Sequence, residues 1–500
     1  MNELPTLLEY FKDHLGFIVK PNVSSFGYQT FFIDLSSLKL RLSHQTPVIW
    51  VKNSDVEGIK DYQLLQSLQD VIREQKWGNQ TVIVFLDRKG ESLLKYTANP
   101  LNNMVVIGKD EQDQIQDSRR PTGELIDTVS AQISISLLSP YETTSPVTGS
   151  RFFGRELELS RILGNPDTNY LILGIRRIGK TSLLREAERI LSDNEDQTRV
   201  VYLDCSDLMS TNDYIREVVR RLEPHELPRL ELQKYVFYFP NFLERMHLRH
   251  KAKLIFILDE IDNLLISQRG NSELFQMLRA SSNKGACQYI IAGFREAQRE
   301  QYLLDSPMFN FAQPIRLNEF TIQQARDLII TPMENLGVRF RNKEDVVGRI
   351  YKETAGHPNL IQYYCMILLR QIDQAGVREI TPDNLIGIYT DEGFKGHLLS
   401  SFMENTRNRE KAVVYAALLG SPGKNLLRSF SESIIDASLH KSGIAMKQLD
   451  IEEACNLLIL AGILHRKDSD YSFTSPVFAN VLQHSHDLGY LLNKVKEEGI

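Results

Sequence analysis

Tyr170-Leu-Ile-Leu-Gly174-Ile-Arg-Arg-Ile-Gly179-Lys180-Thr181-Ser182-Leu-Leu184 reads as a strand, a glycine-bounded turn and a helix start. The turn, Gly174-x-x-x-x-Gly179-Lys180-Thr181, has the Walker A spacing. Gly174 and Gly179 let the backbone wrap through dihedrals that a Cβ would penalise. The wrap turns successive N–H groups inward as an anion nest. Lys180 is then expected on the β and γ phosphates of ATP or ADP, and the Thr181 hydroxyl on the Mg²⁺ that bridges them. Arg177 and Ser182 belong to the same nucleotide-contacting loop. A helix over 183–191 would add its positive end.

Such a loop needs an acid to hold the metal on a neighbouring strand. Lys253-Leu-Ile-Phe-Ile-Leu258-Asp259-Glu260-Ile-Asp262 supplies one. The unbroken apolar run Leu254–Leu258 fits a parallel strand covered on both faces. Asp259 would hold Mg²⁺ through water. Glu260 would polarise the water that attacks the γ-phosphate. Asp262 is expected to serve as a structural or capping residue. The strand over 289–292 ends at Phe294-Arg295-Glu296. Arg295 would either face the γ-phosphate or form a surface ion pair.

Outward from these segments the chain divides by pattern. Residues 1–138 alternate β-type runs (16–19, 31–33, 47–51, 81–86, 104–107) with helical stretches near 62–74 and 123–135, an α/β arrangement. Residues 139–150, with two prolines, a glycine and several hydroxyl residues, read as a linker. Residues 151–300 repeat strand and helix, with strands expected at 170–173, 199–203, 254–258 and 289–292. Residues 301–395 are mostly helical. Residues 396–500 read as helices followed by a hairpin, 462–466 and 471–474, the pattern of a winged helix. The fold class is α/β: a P-loop core with a parallel sheet, a helical lid and a winged helix, preceded by a separate small α/β domain.

The chain has 500 residues, 42% hydrophobic and 24% charged, with a formal charge of -6. That is ordinary globular composition, long enough for several domains. The mild negative charge argues against a dedicated nucleic-acid binder. No signal peptide or membrane span is expected. Cys205, Cys287, Cys365 and Cys455 are far apart in apolar surroundings, as reduced buried thiols would be in a cytoplasmic protein.

Three further segments carry a family likeness. Arg151-Phe-Phe-Gly-Arg155-Glu-Leu-Glu-Leu159 resembles the Gly-Arg-Glu segment ahead of the P-loop in signal-transduction ATPases with numerous domains (the STAND class) and related archaeal-type ATPases. The Gly174–Leu183 loop resembles their double-arginine P-loop. Gly356-His-Pro358 resembles the Gly-x-Pro motif of their lid. The resemblance spans about residues 150–490. It implies that Arg155 lies near the nucleotide, Pro358 on its adenine side, and Arg295 at the γ-phosphate as a sensor. It also implies a slow, regulatory ATPase that closes on ADP and opens, often as a homo-oligomer, on ATP. Bacterial stress or phage defence would be its setting, with a protein partner or trigger acting through a flanking domain. Ile175 stands where many relatives carry proline, and Tyr471–Val477 where plant and animal relatives carry Met-His-Asp.

A DNA-associated loader or remodeller is the alternative. It is not favoured, because the expected second or third helix of the winged helix, Gln448–Leu460, carries Asp450, Glu452 and Glu453 and no basic residue. In the amino-terminal region, Asp34 and Lys52 make a faint nuclease-like pair, with Trp50 where the usual second acid would stand. A sensor, effector or interaction module is the stronger expectation there.

Overall fold

The computed structural model describes residues 4–500 except 39, 41, 43–44, 56, 79, 91–92, 94–102, 194–197, 228–234, 270–272, 305, 307 and 421–428. The amino-terminal unit is one five-stranded sheet: β1 (Ile18–Pro21), β2 (Gln29–Asp34), β3 (Thr46–Val51), β4 (Val82–Leu86) and β5 (Met104–Ile107), side by side in that order. β1–β2–β3 is antiparallel, and β3–β4–β5 is parallel. β3, β4 and β5 are buried along their length, which is why they read as unbroken apolar runs. One face packs Ile49, Val84 and Val106 against Leu64, Leu68 and Val71 of the helix Asp61–Glu74. The other packs Trp50, Phe85 and Val105 against Leu8, Phe11, Ile115 and Leu125.

The register separates the nuclease-like pair. Gln29 lies opposite Trp50 and Ile33 opposite Thr46. Asp34 and Lys52 therefore sit at opposite ends of the β2–β3 ribbon, about 20 Å apart at the usual rise per residue.

The central sheet is β6 (Tyr170–Leu173), β7 (Thr198–Asp204), β8 (Lys253–Asp259), β9 (Cys287–Gly293) and β10 (Gln313–Arg316). All pairs are parallel, in the order β10-β6-β9-β8-β7. Two features differ from the sequence expectation. β9 lies between β6 and β8, so the acidic strand is not next to the P-loop strand. β10, inside the region read as helical, closes the sheet beside β6. Its one buried residue, Ile315, is too weak an apolar signal to mark a strand.

Helices Ile322–Asn335, Lys343–Thr354, Pro358–Gln374 and Glu392–Asn405 follow. Then come Asn408–Gly420, Glu432–Lys441 and Gln448–Leu460, an antiparallel hairpin of β13 (Leu464–Lys467) and β14 (Asp470–Phe473), and two terminal helices; β11 (Arg339–Phe340) and β12 (Glu379–Ile380) form a minimal parallel pair between the earlier helices. The hairpin turn is two residues shorter than expected, 468–469 in place of 467–470. All four cysteines are buried and unpaired. No helix among the described residues is long and apolar enough to cross a membrane.

The stretch 139–150 is not a free connection. The Glu142 N–H donates to Gln362 Oε1 at 3.0 Å, the buried Tyr141 hydroxyl donates to the Ile329 carbonyl at 3.0 Å, and Asn359 Nδ2 donates to the Thr143 carbonyl at 3.0 Å. The segment is held as a strap against the helices Ile322–Asn335 and Pro358–Gln374. Its polar composition reads as a loop, but those same polar groups find partners more than 180 residues away.

Candidate functional site

At the carboxyl end of β6 the chain turns sharply. A Cβ on Gly174 would lie 2.8 Å from Ile178 Cγ2 and 3.1 Å from the Leu317 carbonyl oxygen, so no larger residue fits. Arg177 and Gly179 both have positive φ, 64° and 106°, and the helix Lys180–Ser192 begins immediately after. Lys180 is 4% exposed. Its Nζ donates to the carbonyls of Gly174 (2.9 Å) and Ile175 (3.1 Å). Burial pushes the Lys180 ammonium pKa down, while Glu260, Asp259 and Asp262 draw it back up.

A cleft of about 230 Å³ opens above this turn. Arg155, Arg177, Gly179, Lys180, Thr181, Ser182, Glu260 and Pro358 all line it. Gly174 and Asp259 lie outside its lining, Gly174 at the base of the turn and Asp259 2% exposed at the tip of β8. The strap supplies a wall, Glu142–Val147, and the helix Pro358–Gln374 supplies Asn359 and Gln362 beside Pro358. Sequence reasoning missed the strap. Its only signal was polar composition, which marks loops in general.

The helix bearing Pro358 is set in place by Gly356. That residue has φ +71°, and a Cβ there would come within 2.7 Å of the Phe320 carbonyl oxygen. Pro358 occupies the first helical position, where its missing N–H costs nothing. His357 between them is buried. Burial, then repulsion from His397 and Arg155, pushes its pKa down to about 4.

Asp259 and Glu260 follow one another at the end of β8. Asp259 Oδ2 accepts the Tyr202 hydroxyl at 2.7 Å. Glu260 has φ +51°. Burial pushes its carboxyl above the usual range, and Lys180 opposes that shift. Asp262 accepts N–H groups from Phe294 (2.7 Å) and Glu296 (2.7 Å), which makes it a cap for the helix Arg295–Tyr302. That is the structural role expected of it.

Three of the expected site residues have partners within the chain. Arg155, 4% exposed, donates to the carbonyls of Ile178 (3.2 Å) and Asn318 and lies 4.7 Å over the Phe320 ring. It braces the back of the P-loop. Ser182 Oγ accepts the Val147 N–H at 3.1 Å, and Glu186 accepts the Gly149 N–H at 2.7 Å, so Ser182 anchors the strap. Arg295 does not line the cleft. Its guanidinium is bidentate to Glu410, at 3.0 and 2.7 Å, and reaches the Asn405 carbonyl.

The ion pair weighed in the sequence is thus present, but it is buried. Arg295 and Glu410 side chains are 13% and 4% exposed. Arg177 is tied in the same direction, to Glu404 (2.6 Å) and Ser400 (3.3 Å), and the Arg176 N–H donates to Asn405 Oδ1 at 2.9 Å. Helix Glu392–Asn405 and Glu410 therefore hold Arg176, Arg177 and Arg295.

Removing one partner of a buried pair strands the other charge. Glu410→Gln is expected to cost roughly 3 kcal/mol of stability, read as a lowered urea midpoint at unchanged slope. A midpoint equal to wild type would show that the pair contributes nothing.

The donor set suits a hard divalent cation. It offers a hydroxyl, Thr181, and adjacent carboxylates, Asp259 and Glu260, opposed by one buried ammonium. Mg²⁺ takes most of its ligands from phosphates and water, so few protein groups are required.

Residues 165–299 match the protein family described as "AAA domain", and residues 233–443 match "AAA-like domain". No curated protein matches the chain. Among solved structures, the Walker-type ATPase PABY2304 of Pyrococcus abyssi is similar at 16% identity and a TM-score of 0.51, covering 68% of this chain and 98% of that one. The ORC2 protein of Aeropyrum pernix, solved as ADPNP–ADP complexes, is similar at 13% identity and a TM-score of 0.50, covering 69% of this chain and 94% of that one. At such identities the likeness is one of fold: an α/β, AAA-type P-loop core followed by a helical region.

Proposed function

We propose that this chain is an ATP-binding and ATP-hydrolysing molecular switch of the STAND type. The observation that carries the reading is the shared cleft. One opening is walled by the P-loop, by Glu260, by the Pro358 helix and by the strap from the amino-terminal unit. A nucleotide seated there would touch the P-loop core, the helical region and the connecting strap at once. It can shift their arrangement to the extent that it binds one arrangement better than another.

Lys180 would exchange its two carbonyl partners for phosphate oxygens. The loop N–H groups and the start of the helix Lys180–Ser192 would hold the rest of the triphosphate charge. Thr181 and Asp259 would hold Mg²⁺, which supplies charge neutralisation on the β and γ phosphates when bound. Glu260 would accept a proton from the water attacking the γ-phosphorus, as ADP leaves with the bridging oxygen. Its raised pKa makes it a better base than a solvated carboxylate.

The finer reading is a regulatory cycle. With Arg177 and Arg295 held by Glu404 and Glu410, the chain is in a closed form suited to ADP. The γ-phosphate of ATP would compete for those arginines and loosen the carboxyl-terminal helices, which we read as a winged helix on a lid. The open form would assemble as a homo-oligomer in the cytoplasm. A protein trigger would act through the amino-terminal sensor or effector unit or the winged helix, in a signalling or defence response.

Sizing the purified chain with ADP and with a non-hydrolysable ATP analogue tests this. A larger species with the analogue is the expected result. Identical elution with both nucleotides would sink the switch.

One observation favours a DNA-associated ATPase instead. β13 exposes His465, Arg466 and Lys467 in a row at the hairpin. The facing helix Gln448–Leu460 remains acidic. Duplex binding that requires nucleotide and falls steeply with salt would support that second reading.

A further inference from the structure

Beneath the cleft, the Asp259 carboxylate is held from two sides. Oδ1 accepts the Glu260 N–H at 3.0 Å, and Oδ2 accepts the Tyr202 hydroxyl at 2.7 Å. Both side chains are buried, Asp259 at 2% and Tyr202 at 5% exposure. Tyr202 lies opposite Ile257 in the β7–β8 ladder. Ile257 and Asp259 are two residues apart and so share a face of the sheet, the face on which Tyr202 also lies. That face is covered by Leu183 and Leu184 of the helix that follows the P-loop.

The same helix carries Arg185, whose guanidinium stands 3.4 Å from the Tyr202 ring centroid and pairs with Glu188 at 2.8 Å. A cation over the ring fixes its position and strengthens the phenolic O–H as a donor.

We propose that Tyr202 is the positioning residue of the metal-holding acid, locking the rotation of the Asp259 carboxylate so that the nucleotide's divalent cation meets it already oriented. The inference rests on the reading of the cleft as a Mg²⁺–nucleotide site. Arg185 completes the device by clamping the ring. Because Arg185 and Lys180 belong to one helix, the phosphate loop and the metal-holding acid are braced by a single contact chain. A buried phenol and a buried carboxylate would also pair merely to satisfy one another, so the test must separate orientation from fold.

Tyr202→Phe keeps the ring, its volume and its stack with Arg185, and removes only the hydroxyl. Binding of a fluorescent, non-hydrolysable ATP analogue is titrated with Mg²⁺, and ADP binding is measured in EDTA. The Mg²⁺ concentration for half-maximal binding is expected to rise roughly tenfold, as when an outer hydrogen bond to a metal ligand is lost. Metal-free ADP affinity is expected to stay at the wild-type value. Coincident Mg²⁺ titrations of variant and wild type would overturn the proposal. So would an equal loss of affinity with and without metal, which is the mark of a purely structural contact. A wild-type protein whose nucleotide affinity ignores Mg²⁺ would overturn the metal reading of the cleft and this inference with it. Only in the first two cases does the reading of the cleft survive.

Discussion

Lys180→Ala is expected to weaken ATP binding by at least about 100-fold, the loss of roughly 3 kcal/mol from two charge-assisted hydrogen bonds in a buried site. The side chain is 4% exposed, and its ammonium now rests on two carbonyls of its own loop. Those carbonyls are weaker partners than a triphosphate, so the group is poised to leave them. Alanine removes the ammonium set against Asp259, Glu260 and Asp262. The triphosphate would then face those carboxylates with less compensation. Calorimetry with ATP and Mg²⁺ measures the change. Unchanged affinity in a variant that melts like wild type would refute the assignment of the loop.

Glu260→Gln is expected to act on a different step. The amide has nearly the same shape and can sit at the same φ of +51°. Nucleotide affinity should therefore stay within a few-fold of wild type. Hydrolysis should fall by roughly 10²–10⁴, the usual worth of a positioned base, because glutamine cannot take the proton from water. Phosphate release under single-turnover conditions separates the two quantities. Undiminished release would remove Glu260 from the chemistry and leave the cleft as a binding site alone.

The two variants differ because the groups differ in what holds them. Lys180 is placed by the loop and helix that contain it. Glu260 is placed by the end of β8, where Asp262, two residues on, ties the turn to the start of the helix Arg295–Tyr302. Glu410→Gln, in contrast, should change stability first, since neither Glu410 nor Arg295 lines the cleft.

The amino-acid order was enough to locate Gly174–Thr181, the Asp259–Glu260 strand tip and Gly356–Pro358, for a reason of scale. Each is a short segment whose geometry is set by its own residues: positive φ at glycine, a proline at a helix start, an apolar run that must be buried on both faces. The same locality made β3, β4 and β5 legible. What folding in three dimensions added lies between segments far apart in the chain. β9 separates the P-loop strand from the acidic strand, the 139–150 stretch becomes a wall of the cleft, and Arg295 is taken by Glu410, 115 residues away. Such pairings depend on which surfaces meet when the layers pack. A polar loop or a lone arginine carries no local sign of the partner that packing will bring to it.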